Sequence, residues 1–412
     1  MINTLKKLSR NKIFYFFLAL ILIMFPQTIY MQSDNNTKLV VTTIGIDKSE
    51  SGDGYSLSAL AVIPKASTDV SANLELFEGE GKTISEALSN ISLNTGKQVG
   101  LAHCDCIILS LDVLKENISS VLDYFIRTSN LTTNAALLST DQEAKKLVEA
   151  SKSSNNFLDL TLKDIVTYEE LTTLLENTTI EKFYRSYFGK SSTFFLPILE
   201  VEQDEGGNSN SSQSSSDSES SNNSSQNSSG KIQNKTDIAV LSQGKFVRRL
   251  TDDEKFIYNL LSKSSQYQNI EIKNINDEYV NDSLEIYQQV AKLSLPIYKF
   301  VDGKPVVSYE IWINIMLEEI NSANNFSFAS IDSLQNFLSS TAESEILKVI
   351  DQKRISTVET MHSEKNDILN LYKKFNAYKH REWKKYLNTL ENQEDYLTQV
   401  DIQINTHLSY VI

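Results

Sequence analysis

The sequence predicts an α+β (mixed α/β) protein, with an N-terminal membrane helix followed by two to three sheet-plus-helix domains. Three observations predict it. Ile13–Phe25 is one unbroken apolar run. Residues 39–188 alternate strand-like and helix-like patterns, the signature of α/β layering. After a Ser/Asn-rich stretch come a hairpin pattern, long helical stretches and a last strand with a period of two.

Lys6, Lys7, Arg10 and Lys12 precede the apolar run, and Pro26, Gln27 and Thr28 follow it. Basic residues stay on the cytoplasmic side, so about 380 residues should lie outside the cytoplasm. The run spans only about 20 Å as a helix, and about 27 Å when extended through Tyr30. The longer version can cross a bilayer with mild thinning. A cleaved signal peptide has an apolar region just as short. No small-x-small cleavage site follows Phe25, so an uncleaved anchor is the preferred reading.

Net charge is −14. A phosphate backbone needs basic stripes, so nucleic acid is excluded as the expected partner. An anionic membrane would also repel this chain, so the anchor must hold it there. Cys104 and Cys106 are the two cysteines. This is no disulfide scaffold. His103-Cys104-Asp105-Cys106 hints at a metal, but Ile107, Ile108 and Leu109 follow, and a structural zinc needs four ligands. Small thiols on a buried strand are the better reading.

Leu39–Asp47 is rich in β-branched residues and reads as a strand. Ser51-Gly52-Asp53-Gly54 is turn chemistry, and Tyr55–Ile63 alternates as a half-buried strand, giving a hairpin. Thr83 and Glu86 have capping-box spacing, and Ile84, Leu88 and Ile91 share one helical face. That helix should stop near Gly96. Val99–Leu109 reads as a strand. Leu111–Arg127 reads as an amphipathic helix, with Asp112 as its cap. Ala135–Ser139 is a short strand, Asp141–Ala150 a helix and Tyr168–Phe188 a longer helix. Ser192–Glu202 is strand-like again.

Residues 206–230 are Ser, Asn, Gln and Gly with scattered acids, which cannot bury apolar surface. They read as a flexible linker between two folded regions or as a long loop inside one domain. Asp237–Leu250 is a hairpin across Ser242–Lys245. Thr251 with Glu254 repeats the capping box. Val307–Leu317 alternates as a long strand, and Ile331–Leu390 is helical with a break near His362–Asn366. Val400–Ile412 alternates as a strand with one solvated face. The boundaries are then a cytoplasmic basic terminus at 1–12, a transmembrane signal-anchor at 13–30, an α/β region at 36–203, a linker at 204–236 and an α+β domain at 237–412.

No nucleophile elbow, zinc-protease motif, P-loop or dinucleotide fingerprint occurs, so no catalytic residue, cofactor site or metal site is assigned. Asp252-Asp253-Glu254 suits a helix N-terminus electrostatically. Lys379, His380, Arg381 and Trp383, with Lys373, Lys374, Lys384 and Lys385, form a basic-aromatic patch. It reads either as a contact surface for an acidic partner or lipid headgroups, or as a solvated helix face with Trp383 as its core anchor. The second reading is preferred.

Several short motifs occur in a telling order. They are Val41-Thr42-Thr43-Ile44-Gly45-Ile46-Asp47-Lys48 with Gly54-Tyr55-Ser56-Leu57, then Gly81-Lys82-Thr83-Ile84-Ser85-Glu86-Ala87-Leu88, then Gly100-Leu101-Ala102-His103 leading into Ile107-Ile108-Leu109. Leu122-Asp123-Tyr124-Phe125-Ile126-Arg127 and Ile238-Ala239-Val240 through Gly244-Lys245 to Leu250 follow. Asp367-Ile368 through Phe375 to Trp383, and Tyr396-Leu397-Thr398-Gln399-Val400-Asp401-Ile402, complete the series. In order and spacing the chain, from about residue 39 to its end, resembles the Ger(x)C family, the C subunits of spore nutrient-germinant receptors.

The resemblance implies a non-enzymatic mixed α/β subunit on the outer face of the spore inner membrane. It implies a complex with a membrane-spanning A subunit and a multi-span B subunit. Whether a nutrient binds this subunit is left open. His103, Arg127, Lys379, His380, Arg381 and Trp383 are its candidate partner-contact or structural residues. Two departures stand out. Such subunits are typically acylated on a cysteine after the signal, and no cysteine precedes Cys104. The family also often carries a second arginine beyond the Arg127 position, and Ser129–Thr133 offers none.

Overall fold

The computed structural model describes residues 38–64, 72–127, 131–153, 178–188, 193–202, 231–262, 267–273, 283–321 and 330–411, with Leu20. The segment expected at 13–30 therefore lies outside the described residues except for Leu20. Among the described residues no helix is long and apolar enough to cross a membrane.

The first sheet starts with β1 (Lys38–Lys48), where the β-branched run places it, antiparallel to β2 (Tyr55–Pro64). Gly52 and Gly54 adopt positive φ in the turn between them. β3 (Ala72–Gly81), which the sequence pattern does not announce, adds a third antiparallel strand. Helix α1 (Ile84–Thr95) is capped by Thr83, whose Oγ1 accepts the Glu86 N–H at 3.2 Å. The capping box is only half formed, because the Glu86 carboxylate accepts from Lys82 N–H instead. Gly96, at φ 65°, ends the helix as expected.

Helix α1 lies so close on β3 that a Cβ at Gly79 would come within 2.5 Å of the Ala87 carbonyl oxygen and 2.7 Å of Ile91. Gly79→Ala is therefore expected to cost about 1–3 kcal/mol by overpacking. A urea titration reads this as a lower midpoint, and an unchanged midpoint would show that the helix can move away at no cost.

The strand expected over Val99–Leu109 is two strands, β4 (Gln98–Gly100) and β5 (Cys106–Ser110). Both pair in parallel with β1, at Lys38–Val40 and Thr43–Ile46. Fewer residues separate these segments on β1 than on their partners, so residues 101–105 loop out in a turn closed by Cys104 N–H to Leu101 carbonyl. The helix expected over Leu111–Arg127 also breaks, into α2 (Leu111–Leu114) and α3 (Ile118–Arg127). Asn117 causes the break, since its Oδ1 accepts the Ser119 N–H at 3.0 Å. Asp112 is not the cap. Ser110 holds that position, and Asp112 pairs with Lys115.

Next come β6 (Ala136–Thr140) and α4 (Ala144–Ser153). α4 starts later than Asp141 because Asp47 caps it from afar, accepting the Ala144 and Lys145 N–H groups at 2.8 and 3.0 Å. Burial holds the Asp47 carboxyl above its ordinary pKa, against the pull of those amides. α5 spans Ile180–Tyr187. Of the longer helix expected from Tyr168, residues 168–177 lie outside the described residues. Thr179 is extended, bridges to Ala136 and caps α5.

β7 (Thr193–Glu202) and β8 (Lys231–Ser242) are antiparallel neighbours, and β8 turns through Gln243-Gly244 into β9 (Lys245–Arg249). Both turn residues have positive φ, matching strand twist. The Ser/Asn-rich segment thus connects adjacent strands of one sheet, and that sheet continues past residue 237. Strand order is β3-β2-β1-β5-β6-β7-β8-β9, with β4 beside β1. Helices α1, α2, α3 and α5 cover one face and α4 the other. Cys104 packs on the first face and Cys106 on the second, both buried and neither in a disulfide.

Helix α6 (Asp252–Leu261) carries the full capping box of Thr251 and Glu254. The second sheet holds β10 (Tyr267–Lys273), β11 (Ser283–Leu293), β12 (Ile297–Val301) and the long β13 (Lys304–Asn321). α7 (Ile331–Phe337) passes through a π-helical turn at Leu338–Ala342 into α8 (Glu343–Glu364). The break near His362–Asn366 falls at Lys365–Asn370, whose two ends are left-handed. α9 (Leu371–Tyr378) and α10 (His380–Leu387) follow, separated at Lys379. A 3-10 turn, Gln393–Gln399, leads to β14 (Asp401–Tyr410). β14 runs parallel to β13 with its odd-numbered residues exposed, the solvated face the pattern predicts. Phe195, Ile238 and Val240 of the first sheet pack into the core of this second unit, so the two sheets share one apolar cluster.

Candidate functional site

The candidate residues of the C-terminal half sit on a rigid aromatic mount. Trp383 is fully buried. Its ring stacks on Phe375 at 5.1 Å between centroids and meets Tyr372 and Tyr396 edge-on at 5.6 and 5.8 Å. Such pairs contribute about 0.5–1.5 kcal/mol each beyond their area. Trp383 is therefore the core anchor of α10 and is not available to a partner. The face it leaves outward carries His380, Arg381, Lys384 and Lys385, all exposed.

Asp367 ties this mount together. It is buried, and Oδ1 accepts the Leu371 N–H at 2.7 Å while Oδ2 accepts the Tyr372 N–H at 2.8 Å. The Tyr396 hydroxyl donates to Oδ2 at 2.9 Å. One carboxylate thus satisfies the first amides of α9 and holds the 3-10 turn before β14. Burial raises its pKa, and the three donors and Lys374 oppose that rise. Two of the sequence motifs, Asp367 through Trp383 and Tyr396 through Ile402, meet here.

Lys379 is half-buried at the kink, where its carbonyl accepts the Trp383 N–H at 2.8 Å. His380 Nδ1 is hydrogen-bonded to Asn376 Oδ1 at 3.0 Å. From Leu371 to Leu387 there are six lysines and arginines and one carboxylate, Glu382. In a chain of net charge −14 this is a local reversal of sign. Lys373 and Lys374 line a cleft against α5, apart from the outward α10 face.

Arg127 is exposed at the end of α3, its guanidinium held by Asp123 at 2.6 Å. His103 is exposed in the turn between β4 and β5. Among the described residues neither makes a hydrogen bond or ion pair to α10. The structure therefore joins Lys379, His380, Arg381 and Trp383 in one helical unit and leaves Arg127 and His103 elsewhere. Among the described residues no cluster of His, Cys, Asp and Glu is arranged to hold a metal ion.

Asp367 as a buried hub was not assigned a role from sequence. Its spacing to Leu371 is the signal, a carboxylate just before a helical face.

A family model described as the spore germination protein N-terminal domain matches residues 32–201. A second, described as spore germination B3/GerAC like, C-terminal, matches residues 236–410. No protein of curated function is matched. Among solved structures, the crystal structure of the GerBC protein is similar, with a TM-score of 0.50 and 14% identity, covering 90% of this chain and 97% of that one. At that identity the likeness supports the fold. The two family matches follow one another along nearly all of the described chain, and the chain belongs to the Ger(x)C family of spore germination proteins.

Proposed function

We propose that this protein is a non-enzymatic C subunit of a spore germinant receptor. Its segment 13–30 would anchor it uncleaved in the spore inner membrane, with the bulk of the chain outside the cytoplasm. It would act through protein contacts with membrane-spanning A and B subunits. The observation that carries the reading is family membership across both halves of the chain. The outward face of α10 supports it, since it is a basic patch on a closely packed aromatic base in an otherwise acidic chain. Contact energy concentrates where side chains are already ordered before binding.

The test is a C-terminal tag, gentle solubilisation of spore inner membranes and identification of what co-purifies. Multi-span A-like and B-like subunits in constant ratio are expected. Absence from spores, or recovery alone from vegetative membranes, would overturn the proposal and leave an envelope protein with this fold.

A further inference from the structure

Between α5 and α9 lies a cleft of about 560 Å³, within the range of roughly 300–1,000 Å³ typical of small-molecule sites. One wall carries Lys182 and Arg185 of α5, and the opposite wall carries Lys373 and Lys374 of α9. Phe195 and Tyr258, in edge contact at 4.9 Å, form apolar lining between them. No carboxylate lines this space among the described residues, although the chain has 53 acidic residues and 39 lysines and arginines. Arg185 pairs with Glu181 along its own helix, an exposed pair that solvent screens.

We infer that this cleft binds a small organic carboxylate, its anionic end between the facing basic walls and its apolar part on Phe195 and Tyr258. Charge complementarity selects an anion, and the aromatic lining selects one with an apolar portion over an inorganic ion. Burial lowers the affinity of the Lys374 ammonium for its proton, and Asp367 opposes this from behind. A bound anion would relieve the same cost from the front. A flat acidic surface of a protein is disfavoured because the site is concave. The occupied site would bridge α5, on the first sheet, and α9, in the second unit. It is independent of receptor assembly, so either proposal can fail alone.

The experiment uses the full chain in lipid nanodiscs and phenylacetate as probe, with binding read by ligand-observed NMR and calorimetry. Saturable binding at millimolar or lower concentration is expected. Lys374→Gln and, on the other wall, Lys182→Gln should each weaken it about tenfold, the scale of one lost charge-assisted hydrogen bond. Both variants should keep the wild-type near-ultraviolet circular dichroism. Four results would each overturn the inference: no saturable binding, equal binding of uncharged phenylacetamide, equal binding of inorganic phosphate, or two folded variants that bind like wild type. Tight binding of a poly-glutamate peptide without phenylacetate binding would reassign the cleft to protein contact.

Discussion

Asp367→Ala is expected to lower stability by about 3–5 kcal/mol, a large share of a typical folding free energy. The loss comes from what the carboxylate satisfies. Without it the Leu371 and Tyr372 N–H groups and the Tyr396 hydroxyl lose their acceptor at the start of α9. Each buried donor left unpaired costs about 1–3 kcal/mol. Relief of the buried charge offsets part of the sum. Asp367→Asn keeps the shape and one acceptor oxygen, so a smaller loss is expected.

The Asn variant also exposes a pH dependence. Burial holds Asp367 above its ordinary pKa of 3.8, so above that pH the folded state binds more protons here than the unfolded state. Its contribution is fully present below the unfolded value and is lost as pH rises through the native one. Wild-type stability relative to Asp367→Asn should therefore shrink as pH rises above the ordinary value of 3.8 and through the raised native one. Urea titrations across that range measure it. A constant gap would mean that Asp367 titrates normally, and an alanine variant within 1 kcal/mol of wild type, a change readily resolved, would deny the hub altogether.

What the sequence could announce and what it could not divide along one physical line. Local chemistry was legible. The Gln243-Gly244 turn, the Thr251–Glu254 box, the stop at Gly96 and the alternating last strand each depend on residues within a few positions of one another. Several of the misread elements were set in part by distant partners. α3 begins at Ile118 partly because the Gly244 carbonyl accepts its N–H at 2.8 Å. α4 waits for Asp47, nearly a hundred positions earlier. The split of β4 from β5 follows from their separate registers on β1.

The same division governs the site. Trp383 as a buried anchor was legible from residue type, a large aromatic among charged neighbours. Lys373 and Lys374 were visible as basic, yet their placement opposite Lys182 and Arg185 required the two halves to be docked. The Ser/Asn-rich segment shows this most plainly. Its composition suits a linker and a loop equally, and only the pairing of Glu202 with Lys231 decides that it joins two neighbouring strands.

The junction of the two halves carries the second large expected effect. Glu254 is completely buried and receives both ends of the Arg248 guanidinium, each at 2.6 Å. The same carboxylate accepts the Thr251 N–H at 3.0 Å and its hydroxyl at 3.2 Å. It therefore links β9, the last strand of the first sheet, to the N-terminus of α6. α6 in turn meets α8 through Asp253 and Lys353 at 2.7 Å. Glu254→Ala is expected to cost about 3–5 kcal/mol, because it strands a largely but not fully buried guanidinium as well as opening the helix cap. Glu254→Gln should be nearly as harmful, since its amide nitrogen is a donor set against the donors of Arg248. The decisive comparison is the double replacement Arg248→Met with Glu254→Leu. Removing both charges removes the stranded ion, so the double variant should be more stable than Glu254→Ala by about 1–3 kcal/mol. If the double variant is the least stable of the set, the pair itself supplies the stability, and burial of its charges is not the dominant cost.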